Sequence, residues 1–151
     1  MDKKEKKTID TTITELLELL GIDGTFEVKD AEDGIDVVLD TKDSGLVIGY
    51  HGDTLESLQL VISLCIAKKL DRFLRVSIEV GDYKKNRTEW LKNLALATKE
   101  RVISENKAIA LPELKSWERR IVHLLLKNDE GVVSESEGEG RDRVLVVSPK
   151  N

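Results

Sequence analysis

From Leu46 to Leu55 the chain reads Leu46-Val47-Ile48-Gly49-Tyr50-His51-Gly52-Asp53-Thr54-Leu55, two glycines three apart between an apolar segment and a helix-forming one. No other stretch restricts the fold as much. Gly49 and Gly52 let the backbone bend sharply and present its own N–H groups with no Cβ in the way. A helix starting at Asp53 aims its positive dipole end and its first unbonded amides back at the turn. Such a junction seats a phosphate or a sugar-phosphate backbone. The same spacing also closes an ordinary helical corner, because glycine is a general turn marker. The flanking elements must decide between the two.

On the N-terminal side, Thr12 and Glu15 have capping-box spacing and predict a helix through Leu20, with Ile13, Leu16, Leu17 and Leu20 on one face. Residues 1–11 are then a charged tail, frayed over its first eight residues. Gly21 suits the position just past the helix end. Phe26 and Val28 alternate with polar residues as a strand, Asp33-Gly34 signals a hairpin, and Ile35–Leu39 is a second strand. Asp43-Ser44-Gly45 opens a short helical turn that ends at Gly49. The helix after the glycine turn, with Asp53 and Glu56 again at capping-box spacing, runs to about Leu70. Its buried stripe is Leu55, Leu58, Ile62, Cys65 and Ile66, widened by Leu60, Val61, Leu64 and Ala67. A helix this apolar is expected to lie across a sheet. Phe73–Val80 follows as a strand, alternating over Leu74, Val76, Ile78 and Val80. The order of residues 12–81 is α-β-β-α-α-β.

Gly81-Asp82 marks a boundary. Beyond it the pattern predicts a helix over 84–106 with Leu91, Leu94, Ala95 and Val102 on one face, a short strand over 108–111, and a helix over 112–127 with Pro112 in its first turn. Two strands close the chain, 132–134 and 143–147. Residues 82–151 thus read α-β-α-β-β, and the fold class is α+β. In the helix over 112–127, Lys115, Arg119, His123 and Lys127 recur every four residues in one slanted row, flanked by Arg120. Leu114, Trp117, Ile121, Leu124 and Leu125 are expected to face a core, with Val122 and Leu126 bordering the row. Guanidinium, ammonium and imidazole groups in line suit phosphate contact and base stacking. The alternative is a solvated face of charge pairs. Arg141 and Arg143 extend the patch if the last strand lies beside this helix.

Charge supports the same division. The net charge is −5, but residues 1–81 carry 10 Lys and Arg against 17 Asp and Glu, and residues 82–151 carry 14 against 12. A nucleic-acid partner should lean on the second half. No apolar run approaches the ~20 residues of a membrane span, and the charged N-terminus lacks the apolar core of a signal peptide. Cys65 is the only cysteine, so no internal disulfide can form and a cytoplasmic setting is expected. A buried structural role suits it better than a nucleophile. His51 and His123 are the only histidines and fall in different halves. With no cysteine pair, no H-E-x-x-H and no Walker loop, no catalytic residues, cofactor or metal site are expected.

Two resemblances meet in these residues. Residues 12–81, with the α-β-β-α-α-β order and Ile48-Gly49-Tyr50-His51-Gly52, resemble a type II K-homology (KH) domain. Residues 82–151 resemble the R-three-H domain, named for an Arg-x-x-x-His that stands here as Arg119-Arg120-Ile121-Val122-His123. In this order they resemble the bacterial Jag family (SpoIIIJ-associated proteins, also called KhpB or EloR), over nearly the whole chain from Thr12. The resemblance implies cytoplasmic single-stranded RNA binding without catalysis, a regulatory role linked to cell elongation and division, and pairing with a small KH-domain protein or self-association. Single-stranded DNA is the alternative nucleic acid. It also implies that Gly49 and Gly52 clamp phosphate over about four nucleotides, and that Arg119 and His123 are the signature pair. The chain departs from relatives in two ways: only a short tail precedes the first helix, where many carry an extra domain, and the loop's central pair is Tyr50-His51 where relatives are often basic. Tyr50 offers a stacking face instead, and weak RNA affinity is expected of the first half alone. The competing expectation is a protein-interaction module that pairs through its KH domain and binds little RNA.

Overall fold

A computed structural model describes residues 1–151. Two compact units divide it, Met1–Lys84 and Lys85–Asn151.

The first unit opens with helix α1, Lys3–Leu19. The expectation of a frayed tail and a start at Thr12 is overturned. Asp2 is the N-cap, accepting from the amides of Lys4 at 2.8 Å and Glu5 at 2.7 Å. Thr12 is instead buried in mid-helix, with its hydroxyl donating to the Thr8 carbonyl at 2.7 Å. Two ion pairs tie the exposed side of α1 to the segment around residue 70: Glu5 with Arg72 and Glu15 with Lys69. The helix ends as expected at Gly21, φ 68°. Gly21 donates to the Glu18 carbonyl and Ile22 to that of Leu17, the paired bonds of a Schellman motif.

Strands β1 (Gly24–Ala31) and β2 (Gly34–Thr41) form an antiparallel hairpin, and β3 (Arg75–Val80) runs parallel to β2, in the order β1-β2-β3. Gly34 is not a turn residue. It pairs with Ala31 as the first residue of β2, and a Cβ there would overlap the Arg75 carbonyl oxygen of β3. Between β2 and β3 come the short helix α2 (Ser44–Ile48), a 3-10 turn (Tyr50–Gly52) and the long helix α3 (Asp53–Leu70). Helices α1 and α3 cover one face of the sheet. Ile9, Ile13 and Leu17 meet Leu55, Leu58, Ile62 and Ile66 over the inward Ile35, Val37, Leu39, Val76, Ile78 and Val80. Two polar side chains of α3 fasten it to β3 and the residue just before it: the Ser63 hydroxyl donates to Leu74 O at 2.6 Å, and Gln59 accepts the Ile78 amide at 2.8 Å. The stripe of α3 is narrower than expected. Leu60, Val61 and Leu64 are exposed, and Cys65 is half-buried.

The second unit begins within the first turn of α4 (Tyr83–Glu105) and continues with β4 (Ile109–Leu111), α5 (Ser116–Leu126), β5 (Val132–Glu137), a second 3-10 turn (Gly140–Asp142) and β6 (Val144–Pro149). This is the expected α-β-α-β-β order. Its three strands are antiparallel, with β6 in the middle. Leu91, Ala95 and Val102 of α4 pack with Val122 and Leu126 of α5 over Val132, Leu145 and Val147. Pro112 is not in α5, which starts four residues later: Glu113 has φ 62°, a value a helix cannot hold. No helix is long and apolar enough to cross a membrane.

Candidate nucleic-acid interface

In the first unit the glycine turn is tightly determined. Gly49 has φ 69° and ψ −169°, a combination open essentially to glycine alone. A Cβ there would also overlap the Thr54 side chain. Gly52 lies at φ 80°, and its Cβ would stand 2.9 Å from the Tyr83 hydroxyl oxygen. Between them His51 is left-handed as well, at φ 50° and ψ 29°, a costly conformation for a residue with a Cβ. Its ring stacks on that of Tyr50, centroids 4.0 Å apart and planes 17° apart. Tyr50 is 69% exposed, so an aromatic face projects from the turn.

This turn differs from an open cradle. The Gly52 amide donates to the Gly49 carbonyl over 3.4 Å, and the Asp53 amide donates to Tyr50 O. Two of the amides expected to face a ligand are therefore used inside the turn. Helix α3 starts at Asp53, with Gly52 in the cap position and no side-chain cap. Asp53 and Glu56 lie in its first turn and make the mouth of the glycine turn acidic.

In the second unit, α5 shows which face is buried. The expected core side chains are partly outside: Leu124 is 54% exposed, Leu125 46%, and Trp117 also reaches solvent, while Ile121 is half-buried. The buried row is Leu114, Glu118, Val122 and Leu126. A carboxylate sits fully buried in its middle. Glu118 accepts the Lys115 amide at 2.9 Å, half of a capping box, and its other oxygen accepts Arg87 Nε at 2.6 Å. Arg87 in turn lies over the Trp90 ring, 4.1 Å from its centroid. Sequence reasoning missed Glu118, Arg87 and Trp90. The signal available was the step of four through 114, 118, 122 and 126, obscured by the charge at 118.

With that row inward, Lys115, Arg119, His123 and Lys127 form the next row along the helix. Lys115 is the N-cap residue. Arg119 Nη1 donates to the Leu114 carbonyl at 2.6 Å, and His123 Nδ1 lies 2.8 Å from the hydroxyl of buried Ser134 on β5. Each signature side chain is thus held by one neutral partner. Arg119 is half-buried, and Arg120 beside it is exposed. Arg141 and Arg143 belong to the β5–β6 connection, which begins four residues beyond Ser134, about 13 Å along the strand. Arg143 Nη1 donates to Gly138 O and braces that connection. No group of three or more His, Cys, Asp or Glu residues is arranged to hold a metal ion.

Known proteins carry the same two parts in the same order. The family model "KhpA/KhpB, KH domain" matches residues 6–80, and the model of the R-three-H domain matches residues 89–149. The RNA-binding protein KhpB of Clostridium symbiosum is 33% identical over 153 residues, spanning 97% of this chain and 69% of that protein. The chain belongs to the KhpB family. Two further KhpB relatives carry the same printed name, RNA-binding protein. That of Streptococcus pneumoniae is 34% identical over 75% of this chain and 34% of its own length. That of Lactiplantibacillus plantarum is 32% identical over 85% of this chain and 40% of its own length. The chain therefore spans less than half of these two KhpB proteins. The glycine turn lies inside the KH match and α5 inside the R-three-H match.

Proposed function

We propose that the chain binds single-stranded RNA, chiefly through the R-three-H unit, with the Gly49–Gly52 turn positioning sugar-phosphate backbone at the KH unit. The observation that carries this reading is a set of cations outside the ion pairs. Acids outnumber bases in the chain, 29 to 24. The ion pairs of the R-three-H unit nonetheless use Arg87, Lys92, Lys99 and Arg101. Arg119, Arg120, Lys127, Arg141 and Arg143 stand in none of them. Cations left unneutralised on an acidic protein favour an anionic partner. The name RNA-binding protein, shared by the relatives, makes RNA the natural candidate. Single strands expose base faces and edges that a helix with guanidinium and imidazole groups can stack on and hydrogen-bond. The acidic first turn of α3 opposes phosphate, so the KH unit contributes geometry more than attraction. The role that follows is regulatory and non-catalytic, in the cytoplasm, tied by family to control of cell elongation and division.

The test is titration of a fluorescent single-stranded RNA at low and at physiological salt, with wild type and an Arg119→Ala/His123→Ala double variant. Binding should weaken steeply with salt, and the double variant should bind at least about tenfold less tightly. A wild type that binds no RNA at low salt refutes the reading. The same sequence as DNA tests whether the 2′-hydroxyl matters.

A second reading has its own observation. On the KH unit Leu60, Val61 and Leu64 project outward from α3, and a cleft of about 430 Å³ opens between α1, α2 and α3, lined by Leu16, Leu20, Ile22, Leu46, Leu58 and Val61 among others. Exposed apolar surface of this kind suits pairing with another KH-domain protein or a second copy. Sedimentation of wild type against Leu60→Glu/Leu64→Glu tests it. A monomer unaffected by the change, with or without an added small KH protein, rules it out.

A further inference from the structure

Trp90 is unusual among the large side chains of the R-three-H unit. It is 47% exposed, yet it is not loosely held. The Arg87 guanidinium lies over its ring at 4.1 Å. That guanidinium is itself fixed, because Arg87 is nearly buried and bonded to fully buried Glu118. One end of this chain of contacts is an exposed indole on α4. The other is the residue immediately before Arg119 on α5. The indole is thus tied to the start of the basic row by two short contacts.

The surroundings of Trp90 on α4 are suited to nucleic acid. One helical turn away on either side are Asn86, Arg87, Asn93 and Leu94, with no acid among them. Asn86 and Asn93 are both exposed, and each carries two N–H donors and a carbonyl acceptor able to bond a base edge or a ribose hydroxyl. The adjacent acid, Glu89, is paired with Lys92 at 3.3 Å. A rigid, exposed indole with a cation behind it and amides beside it has the makings of a base-stacking site. If Trp90 served only to cover the Arg87–Glu118 pair, any apolar side chain of similar reach would do as well, and an aromatic ring would confer no advantage in binding.

We propose that Trp90 is a stacking platform for one nucleobase of a strand bound along α5, its ring held in place by Arg87. The proposal rests on the RNA-binding reading above and adds a residue to it. The experiment uses the full chain and a fluorescein-labelled single-stranded RNA of mixed sequence, with Trp90→Leu and Trp90→Phe compared with wild type and with melting temperature recorded for each. Loss of the ring should weaken binding by about tenfold, and Trp90→Phe should stay within about threefold of wild type. A second measurement does not depend on the leucine variant folding. In Trp117→Phe, Trp90 is the only tryptophan left, and stacking of a base on it should quench its fluorescence as RNA is added. Trp90→Leu binding as tightly as wild type, or an unquenched Trp90 in a complex that forms, overturns the platform and leaves RNA binding intact. Failure of wild type to bind at all removes both.

Discussion

In the KH unit the segment that would meet a strand is held by backbone conformation; in the R-three-H unit it is held by side chains. Gly49, His51 and Gly52 all sit at positive φ, and Gly49 is pressed against Thr54. The turn keeps its shape because few other conformations fit. Helix α5 is ordinary in its backbone. Its rotation about its own axis is set by Glu118, which is buried because Arg87 reaches it from α4, and its signature pair is steadied by Leu114 O and Ser134 Oγ. The electrostatics differ in the same sense. The glycine turn opens onto Asp53 and Glu56, whereas the outer row of α5 carries lysine or arginine on both sides of His123 and no acid. Backbone restraint is insensitive to nearby charge. A side-chain restraint turns one carboxylate inward and leaves the outer face positive.

The sharpest way to break this comparison is Arg87→Ala. It strands a buried carboxylate and should destabilise the R-three-H unit by about 3–5 kcal/mol. Both tryptophans lie in that unit, so urea unfolding followed by tryptophan fluorescence reports it directly. A loss under about 1 kcal/mol would mean that α5 is held by its apolar contacts alone.

Gly49→Ala is the counterpart in the KH unit. Positive φ and the overlap with Thr54 together should cost about 1–3 kcal/mol. Adding Thr54→Ala should recover only the part of the steric cost that comes from the Thr54 hydroxyl, because the Thr54 Cβ, 2.6 Å from the added methyl, stays in place and the conformation remains unfavourable for alanine. Full recovery by the second change would show that packing, not backbone conformation, demands the glycine. Circular dichroism melts of single and double variants decide it.

Ser134→Ala should act more mildly. It removes the partner of His123 Nδ1 at a cost of about 1 kcal/mol. If α5 recognition depends on a positioned imidazole, RNA affinity should fall a few-fold while Arg119 contacts persist. Unchanged affinity would place the recognition on the guanidinium and not the imidazole.

The smallest effect concerns acid. Asp2 in the KH unit and Asp129 in the R-three-H unit are carboxylates held below their ordinary range. For Asp2 the leading cause is the hydrogen bond from the Glu5 amide; for Asp129 it is the hydrogen bond from Lys99, followed by that from the Gly131 amide. A depressed carboxylate stabilises the folded state fully above its unfolded pKa, about 3.9, and loses that contribution as pH falls through the folded value. Asp2→Asn should flatten the acid side of the KH unit's stability profile, and Asp129→Asn that of the R-three-H unit. Acid titrations of the two variants, followed by far-ultraviolet circular dichroism, check that each change stays within its own unit.

Much of the architecture is legible because it is written in short-range pattern. Alternation over Leu74, Val76, Ile78 and Val80 appears as buried positions on β3 and in the segment just before it, and Gly21 closes α1 as its place in the sequence implies. The start of α1 is written there too, but in a form that misleads. Asp2 with Glu5 is as good a capping signal as Thr12 with Glu15, but a lysine-rich run resembles a solvated tail until Arg72 and Lys69 are seen pairing with its helix. On α5 a glutamate breaks the apolar row, and the neighbouring leucines suggest the wrong face.

The order of elements, the glycine turn, the Arg-x-x-x-His spacing and the uneven charge of the two halves are properties of the amino-acid sequence alone, since helical and strand periods, turn chemistry and formal charge are local or additive. Which side of α5 faces inward, and hence where Arg119 and His123 point, was decided only by the tertiary structure. A buried carboxylate is tolerable only with a compensating cation, and that cation lies 31 residues away, beyond the reach of any periodic pattern.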